Sequence, residues 1–436
     1  MAASGRRSRR WKYLQRASSA AATAALMAMS GGALAATAAA ASWHRTEVKS
    51  PAGAEDGFLV AVSCPTTSQC VGGGYYTSST GIATPMVATM SGTTWGRGRT
   101  VVLPASSADP HGEGQLTGVS CPAKNKCTAV GFNIEDVGGG SYGKDAFTVS
   151  ESSHGTWGPV HFVKLPHGAA RRTVATLTGV SCASPGNCEA VGYFAVTGEN
   201  LVPMAVQEVH GSWRQASEIG IPANAATAPG YYAVLDAVSC PKAGGCVAVG
   251  SYVSSAGKFE GLTTVDSGGH WQRAREATLL ATAAPNMVSG LLSVSCSSLT
   301  SCLAVGGYAS TSGSISASIS DAFSHGHWGG VHLVKVVPAK AAARPASWLY
   351  GVSCGTQSCE VVGNYTDRAG MQIWMAFSYS HGKWGKATGV SEPGNALKGA
   401  EQASIPSGLS CARARCTAVG SYWDITDHQD AMAATG

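Results

Sequence analysis

Fourteen cysteines carry the first chemical signal of this sequence, because they form seven closely spaced pairs. The second cysteine follows the first by six residues, or by five in the last two pairs, and successive pairs lie 56 to 61 residues apart. Zinc sites favour two to four intervening residues and four ligands that converge in space, so these pairs favour disulfides over metal ligands. The predicted disulfides join Cys64 to Cys70, Cys121 to Cys127, Cys182 to Cys188, Cys240 to Cys246, Cys296 to Cys302, Cys354 to Cys359 and Cys411 to Cys416.

Aromatic side chains close to charged ones form the second set that could act on a ligand. Such neighbours suit stacking on a sugar ring or a hot spot in a protein interface. No nucleophile with its base, metal site or cofactor motif stands out, so no residue is assigned a catalytic role and no cofactor is expected. The candidate binding residues are Tyr142, Asp145, Tyr231, Tyr232, Asp236, Trp348, Tyr350, Tyr365, Arg368, Trp423 and Asp424.

The elements that must position these residues repeat seven times. Each first cysteine ends a Val-Ser-Cys phrase or a near copy, and each unit also carries a tryptophan, as at Trp157 and Trp271. Short apolar runs separated by Gly, Ser and Asn are typical of strands and turns; in the second unit they predict strands at 116–121, 127–132, 146–150 and 157–165. Four antiparallel strands per unit predict a β-propeller with seven blades. An open solenoid is the alternative, but neither end of the sequence supplies the polar cap that it needs.

The two ends of the sequence complement each other. The last unit has its cysteine pair and a third strand at 430–435 but no tryptophan segment, whereas Trp43 to Val48 stands alone before the first pair. We expect this N-terminal strand to complete the last blade, which closes the ring and removes an exposed sheet edge.

Strand order divides the loops between two faces of the predicted propeller. The first-to-second and third-to-fourth turns lie on one face, and the variable second-to-third loops and blade linkers lie on the other. Function concentrates on variable loops held by a rigid scaffold, and the candidate binding residues belong to that face. The preferred interpretation is a monomeric, non-catalytic scaffold that binds a protein or a cell-envelope glycan there. The alternative is a glycan-active enzyme, similar to glycoside hydrolases, on the same face.

Residues 1–42 have the pattern of an export signal. A basic stretch from Arg6 to Arg16 precedes an Ala-rich stretch that ends in small residues suited to cleavage. The segment from Ser8 to Trp11 resembles a twin-arginine signal, and the general secretory route stays open. An uncleaved anchor is the alternative, although the stretch is weakly apolar for a span of about 20 residues. We expect residues 43–436 to form one propeller domain without a membrane span, secreted or associated with the cell envelope.

Composition narrows the class of protein further. Apolar residues make up 44% and charged residues 13% of the chain, which also has 56 glycines. This mixture is too apolar for disorder and too rich in Gly for a helical protein. The net charge of +5 comes from the basic N-terminal stretch, so the near-neutral remainder gives no reason to expect a nucleic-acid partner.

One segment resembles a known repeat. In the stretch from Thr264 to Trp271, the residues Thr264, Asp266, Gly268 and Trp271 match the Asp-box, or BNR repeat, of sialidases, other glycosidases, sortilin-like receptors and a photosystem assembly factor. The whole unit is similar to repeats of exported bacterial propellers. The resemblance implies a propeller in which the Asp-box is a structural turn between the third and fourth strands, and it leaves function open.

Overall fold

The computed structural model describes residues 43–104, 113–138, 141–152, 155–170, 174–197, 200–278, 290–310, 316–398 and 404–436, and all regular structure in these ranges is β-strand. The strands form seven antiparallel sheets. The first strand of each sheet contacts the first strands of the two neighbouring sheets, and the last sheet contacts the first. The predicted seven-bladed propeller is confirmed. Residues 1–42, where the export signal is predicted, lie outside the described ranges.

Each blade has three long strands and an outer edge made of short pieces. The inner strands of blades 1 to 7 are β2 Asp56–Thr66, β7 Gly114–Ala123, β11 Ala175–Ser184, β16 Ala233–Lys242, β20 Gly290–Ser298, β25 Ser347–Cys354 and β30 Ile405–Ala412. The second strands are β3 Gln69–Thr77, β8 Lys126–Gly138, β12 Asn187–Val196, β17 Gly245–Val253, β21 Ser301–Ala309, β26 Cys359–Thr366 and β31 Arg415–Trp423. The third strands are β4 Ala83–Ser91, β9 Ser141–Ser150, β13 Asn200–Val209, β18 Phe259–Ser267, β22 Ser316–Ser324, β27 Gln372–Ser380 and β32 Gln429–Thr435.

The outer edges differ from the prediction of one long fourth strand. They consist of β5 Thr94–Trp95 with β6 Arg99–Thr100, β10 His161–Phe162, β14 Ser212–Trp213 with β15 Ser217–Glu218, β19 Arg275–Ala277, β23 His327–Trp328 with β24 His332–Leu333, β28 Lys383–Trp384 with β29 Thr388–Val390, and β1 His44–Val48. In the second unit only 161–162 pair as a strand where 157–165 were predicted. The outer edge lies farthest from the axis, where no neighbouring strand enforces regular pairing.

The N-terminal strand closes the ring as predicted. Strand β1 pairs antiparallel with β32, from His44 opposite Thr435 to Val48 opposite Ala431. The sheet order β1-β32-β31-β30 therefore completes blade 7 with residues from both ends of the described chain. Val48 is 1% exposed and belongs to the core between blades 7 and 1.

Each blade contains one disulfide between its first and second strands. All seven predicted pairs are joined, and no free cysteine is present among the described residues. Seven disulfides fit a protein that matures in an oxidising compartment. No helix in the described ranges is both long and apolar enough to cross a membrane.

The Val-Ser-Cys phrase has a structural purpose that its repetition alone does not reveal. In every blade the serine hydroxyl accepts a hydrogen bond from the backbone amide of the first cysteine in the next blade, at 2.8–3.1 Å. The last bond runs from the Cys64 amide to Ser410 and joins blade 1 to blade 7. Seven buried hydrogen bonds thus form a closed ring around the axis, the serine ring.

Each second strand contains one glycine that close backbone approach requires, and in five blades it ends an Ala-Val-Gly phrase. On each inner strand the pairing register shifts at the residue after the one that faces this glycine, as between Leu235 and Ala237. A Cβ atom on the glycine opposite would come within 1.9–2.1 Å of an inner-strand carbonyl oxygen in all seven blades. The seven glycines are Gly74, Gly131, Gly192, Gly250, Gly306, Gly363 and Gly420.

Candidate functional site

We define the loop face as the second-to-third loops together with the linkers between blades. The linkers are fixed to the ends of the second strands by a repeated turn. Five linkers contain a Pro-x-x-Ala turn in which the alanine amide donates to the proline carbonyl at 3.0–3.3 Å. In four of them the same alanine bridges the end of a second strand, as Ala225 does with Ser254 and Ala396 with Asp424. The turns begin at Pro51, Pro166, Pro222, Pro338 and Pro393. This repeated phrase is a sequence signal that the repeat analysis missed, and it holds the loop face in place.

The predicted binding residues do not all lie on the surface of that face. Tyr142 is 67% exposed, whereas Tyr365 is 1% exposed and packs in the core of blade 6. Tyr365 therefore does not belong to a binding surface. Its strand alternates between the two faces of the blade, and in a propeller both blade faces are buried against neighbours. Proximity to a loop in the sequence did not reveal this.

Several other candidates make hydrogen bonds or packing contacts within the protein. Arg368 donates to the Ala339 carbonyl at 3.1 Å, and Asp424 accepts the amides of its own loop. The Trp348 indole donates to the Ser316 hydroxyl of the neighbouring blade, and its ring covers Gly307. Tyr350 is partly buried, and burial raises the pKa of its phenol. These contacts shape the loop face, and nothing in them assigns a ligand.

Two of the remaining candidates, Tyr232 and Asp236, lie together with Tyr193, which was not predicted, where blades 3 and 4 meet at the axis. Asp236 occupies the bulge position of inner strand β16, and Tyr232 precedes the same strand at its loop-face end. Tyr193 lies on β12 opposite Thr176, near the start of the neighbouring inner strand. Tyr232 also meets the ring of Phe259 edge to face, with centroids 5.8 Å apart. We call Tyr193, Tyr232 and Asp236 the axial cluster.

The electrostatics of the axial cluster are those of a carboxyl held away from water. Asp236 is 3% exposed, and burial raises its pKa well above the usual value. Burial also raises the pKa of both phenols, and the Asp236 charge raises both further. The hydroxyls of Thr176 and Ser251, beside Tyr193 and Tyr232 respectively, act in the opposite direction on the pKa of each. The cluster therefore holds a carboxyl that favours its protonated form between two neutral phenols.

The repeat shows how unusual a carboxyl is at this position. The bulge residues of blades 2 and 3 are Thr117 and Thr178. Each threonine hydroxyl donates at 2.6 Å to a leucine carbonyl of the next inner strand. An ionised carboxylate cannot donate such a bond, but a protonated one can. Asp236 thus departs from the threonine pattern of blades 2 and 3, and none of the other bulge residues of the described inner strands carries a carboxyl, which favours a function for it. Those residues are Val60, Leu292, Tyr350 and Ser407.

We expect Asp236→Thr to stabilise the protein at neutral pH by about 2 kcal/mol, because it removes a buried carboxyl and restores the threonine hydrogen bonds. A folded-state pKa above the unfolded one makes stability fall as pH rises from near 4 through the folded pKa. The variant should lose that part of the pH dependence. Urea unfolding at pH 5 and pH 8 measures both effects, with Asp427→Asn in the second-to-third loop of blade 7 as an exposed control. Equal stability of variant and wild type at pH 8 contradicts the assignment.

Tyr193 was not predicted as a site residue, because it lies inside a second strand and not in a loop. A signal existed, since it follows the repeated glycine Gly192 as Tyr75 follows Gly74. The structure also brings together no group of three or more His, Cys, Asp or Glu able to hold a metal within the ranges described. At the Asp-box-like segment, Asp266 is 1% exposed and bridges Trp271 in the turn after β18.

Comparison with solved structures identifies similar folds in polysaccharide-cleaving enzymes. An ulvan lyase, described as a new polysaccharide lyase family and bound to a glucuronic acid–rhamnose sulfate ligand, matches with a TM-score of 0.55 at 8% identity, over 89% of this chain and 95% of that one. A second structure of the lyase gives 0.53 at 8% identity, over 87% and 94%. A Trypanosoma rangeli sialidase matches at 0.47 and 10% identity, over 90% of this chain and 59% of that one, a score too low to support a conclusion. No family model and no curated protein matches the chain.

These comparisons correct one prediction. The non-catalytic scaffold was the preferred interpretation, but the two matches with TM-scores above 0.5 are both structures of a polysaccharide lyase. The preference was wrong, and the glycan-active alternative replaces it as the hypothesis for this chain. The physical reason for the error is that the sequence separates Tyr193 from Asp236, so their convergence could not be seen. At 8% identity the likeness itself shows the fold alone.

Proposed function

We propose that this protein is a glycan-active enzyme that cleaves a polysaccharide at the axial cluster on its loop face. The observation that carries the proposal is the buried Asp236 carboxyl at the bulge of β16, with Tyr232 at the loop-face end of the same strand and Tyr193 on the neighbouring blade. The fold shared with an ulvan lyase adds support for a polymeric substrate. We further propose that the chain is exported by its first 42 residues and meets its substrate outside the cytoplasm, as its seven disulfides favour.

The chemistry follows from the protonation state of Asp236. A glycosidic bond breaks more readily when its departing oxygen receives a proton in the transition state. A carboxyl whose pKa is raised by burial retains that proton to higher pH than an exposed one, as the general acids of glycosidases do. Asp236 is therefore the proton donor in our proposal. Because burial is the cause of the raised pKa, the donor form is lost only as pH rises through that value.

Besides a proton donor, cleavage of the glycosidic bond requires a nucleophile, and a phenol of the axial cluster supplies it in our proposal. Tyrosine serves as the nucleophile in some glycosidases, and Tyr232 lies beside the carboxyl at the loop-face end of its strand. In our proposal the Tyr232 oxygen forms a bond to the anomeric carbon as the glycosidic bond breaks, and the departing oxygen takes the Asp236 proton. The Asp236 carboxylate then accepts the phenolic proton of Tyr232, and water hydrolyses the bond between the sugar and Tyr232. Tyr193 lies close enough to the same carboxyl, from blade 3, for their charges to interact.

We expect Asp236→Asn to lower the rate of polysaccharide cleavage by a factor of about 100 or more, which is typical for loss of a general acid. Tyr232→Phe should lower it by at least as large a factor, because it removes the nucleophilic oxygen. The assay incubates residues 43–436 with a panel of polysaccharides that includes ulvan. New reducing ends report cleavage, and ultraviolet absorbance of a new double bond distinguishes elimination from hydrolysis.

Asp427→Asn is the matched control, since it changes an exposed carboxyl in the second-to-third loop of blade 7, on the same face and outside the axial cluster. It should retain the wild-type rate. Cleavage by wild type that survives Asp236→Asn would place the active site elsewhere, and absence of cleavage across the panel contradicts the proposed activity. Thermal unfolding of each variant confirms that a lost rate is not a lost fold.

A further inference from the structure

A cleft opens on the opposite face of the propeller, between the disulfide turns of blades 3 and 4. Its volume is about 370 Å³, enough for one small organic molecule. One wall is the backbone of Gly244, Gly268 and Gly269, and the other carries the side chains of Asn187, Glu189 and Gln207. The cleft lies at the far end of the inner strands from the axial cluster, so it is a separate site.

Glu189 is the charged group at the base of this cleft. It lies on β12, is 5% exposed, and accepts a hydrogen bond from the Trp271 indole of blade 4 at 2.9 Å. Burial is the largest influence on the pKa of Glu189, which is raised to about 8. The hydrogen bonds with Trp271 and Gln207 lower this pKa, whereas the like charge of Asp266 raises it. Within the described ranges, the charged group that shifts the pKa of Glu189 is therefore the acidic Asp266, and no positively charged group offsets its influence.

The other charged groups near the cleft do not neutralise Glu189. Lys242 borders the cleft but is exposed, and it is absent from the groups that shift the pKa of Glu189. Glu208 also borders the cleft. It pairs with Cys188, whose sulfur contacts Thr128 of blade 2, so its carboxyl lies on the other side of the sheet. His270, next to the glycine wall, acts on Asp266.

We propose that this cleft binds a compact ligand bearing a primary ammonium group, with the Glu189 carboxylate as its counter-charge. An ammonium group has three donors, which can be shared among Glu189, the Gln207 amide oxygen and the carbonyls of the glycine wall. A cation also removes the electrostatic cost of two facing carboxyls, Glu189 and Asp266, which a neutral ligand leaves in place. The ligand is an amino sugar or a lysine side chain, which present the same group.

Calorimetric titration of residues 43–436 tests the proposal, with glucosamine and Nα-acetyl-lysine methylamide as ammonium probes. N-acetylglucosamine is the neutral counterpart of the first probe. At pH 7 we expect an ammonium probe to bind with release of a proton, which makes the heat depend on the ionisation enthalpy of the buffer. Whichever of the two binds more tightly identifies the source of the ammonium group. Affinity should rise between pH 6 and pH 8 as Glu189 ionises more readily.

Glu189→Gln should weaken binding at least tenfold and abolish proton release. Glu208→Gln, a buried carboxyl of the same blade on the other side of the sheet, should stay within twofold of wild type. Equal binding of N-acetylglucosamine, or full binding by Glu189→Gln, overturns the proposal, as does failure of both ammonium probes. Polysaccharide cleavage at the axial cluster is measured separately, so the two proposals can fail independently.

Discussion

A chain that begins at residue 49, and so lacks β1, is expected to lose at least about 4 kcal/mol of stability relative to one that begins at residue 43. The deletion exposes the outer edge of β32 along five residue pairs. It also removes Val48, which is 1% exposed, and Trp43, which packs against the core of blade 7. Burial of a valine side chain alone contributes about 1.5–3 kcal/mol, and the backbone hydrogen bonds add to this. Urea unfolding measures the difference.

The freed edge should also change the association state of the protein. Unpaired backbone donors and acceptors along β32 form a template for another chain, so size-exclusion chromatography is expected to show oligomers. A circular permutant that appends residues 43–48 after Gly436 provides the matched control. His44 and Thr435 are opposite each other, so a short linker connects the two segments as a hairpin, and stability should return. An unfolding midpoint unchanged by the deletion contradicts the closure.

Gly250→Ala is expected to destabilise the protein by roughly 3 kcal/mol or more. The added Cβ would lie 2.1 Å from the Val234 carbonyl oxygen and 2.8 Å from the Leu235 Cα. Both atoms belong to the backbone of the inner strand, which is packed between two neighbouring blades and cannot retreat. Overpacking of this kind costs about 1–3 kcal/mol even when side chains can move, so a clash with backbone belongs at the upper end.

Gly394→Ala is the control for this substitution. Gly394 is exposed, and a Cβ there meets no heavy atom within 4 Å. Its variant should unfold within about 0.5 kcal/mol of wild type in the same urea titration. If the two variants behave alike, the close approach at the repeated glycine does not exist in solution. The same test can be repeated at the other six glycines, which are in the same geometry.

Repetition made the fold predictable from sequence. Seven cysteine pairs in step with seven tryptophans specify seven equivalent units, and the unmatched segment at 43–48 identifies how the ring closes. The outer strands were predicted less well because they pair along one side only. The boundaries of these outer strands depend on packing at the rim of the propeller, and the local sequence around Trp157 does not reveal that packing.

The candidate site was predictable only in part, because it is made by residues that depart from the repeat. Tyr232 and Asp236 were predicted from their position near a linker, but Tyr193 comes from the neighbouring blade, and only the fold brings it to them. Tyr365 shows the opposite error, since a position near a loop does not decide whether a side chain points outward. Glu189 was missed because the disulfide turns were taken as purely structural.

The serine ring gives every blade the same means of recognising its neighbour. Each serine accepts from the cysteine amide of the following blade, and the contact between Ser410 and Cys64 is no different from the other six. This contact therefore does not distinguish one blade from another, and it is compatible with any order of the blades. The order of blades is specified by the covalent chain, and the contact is compatible with duplication or loss of whole units during evolution.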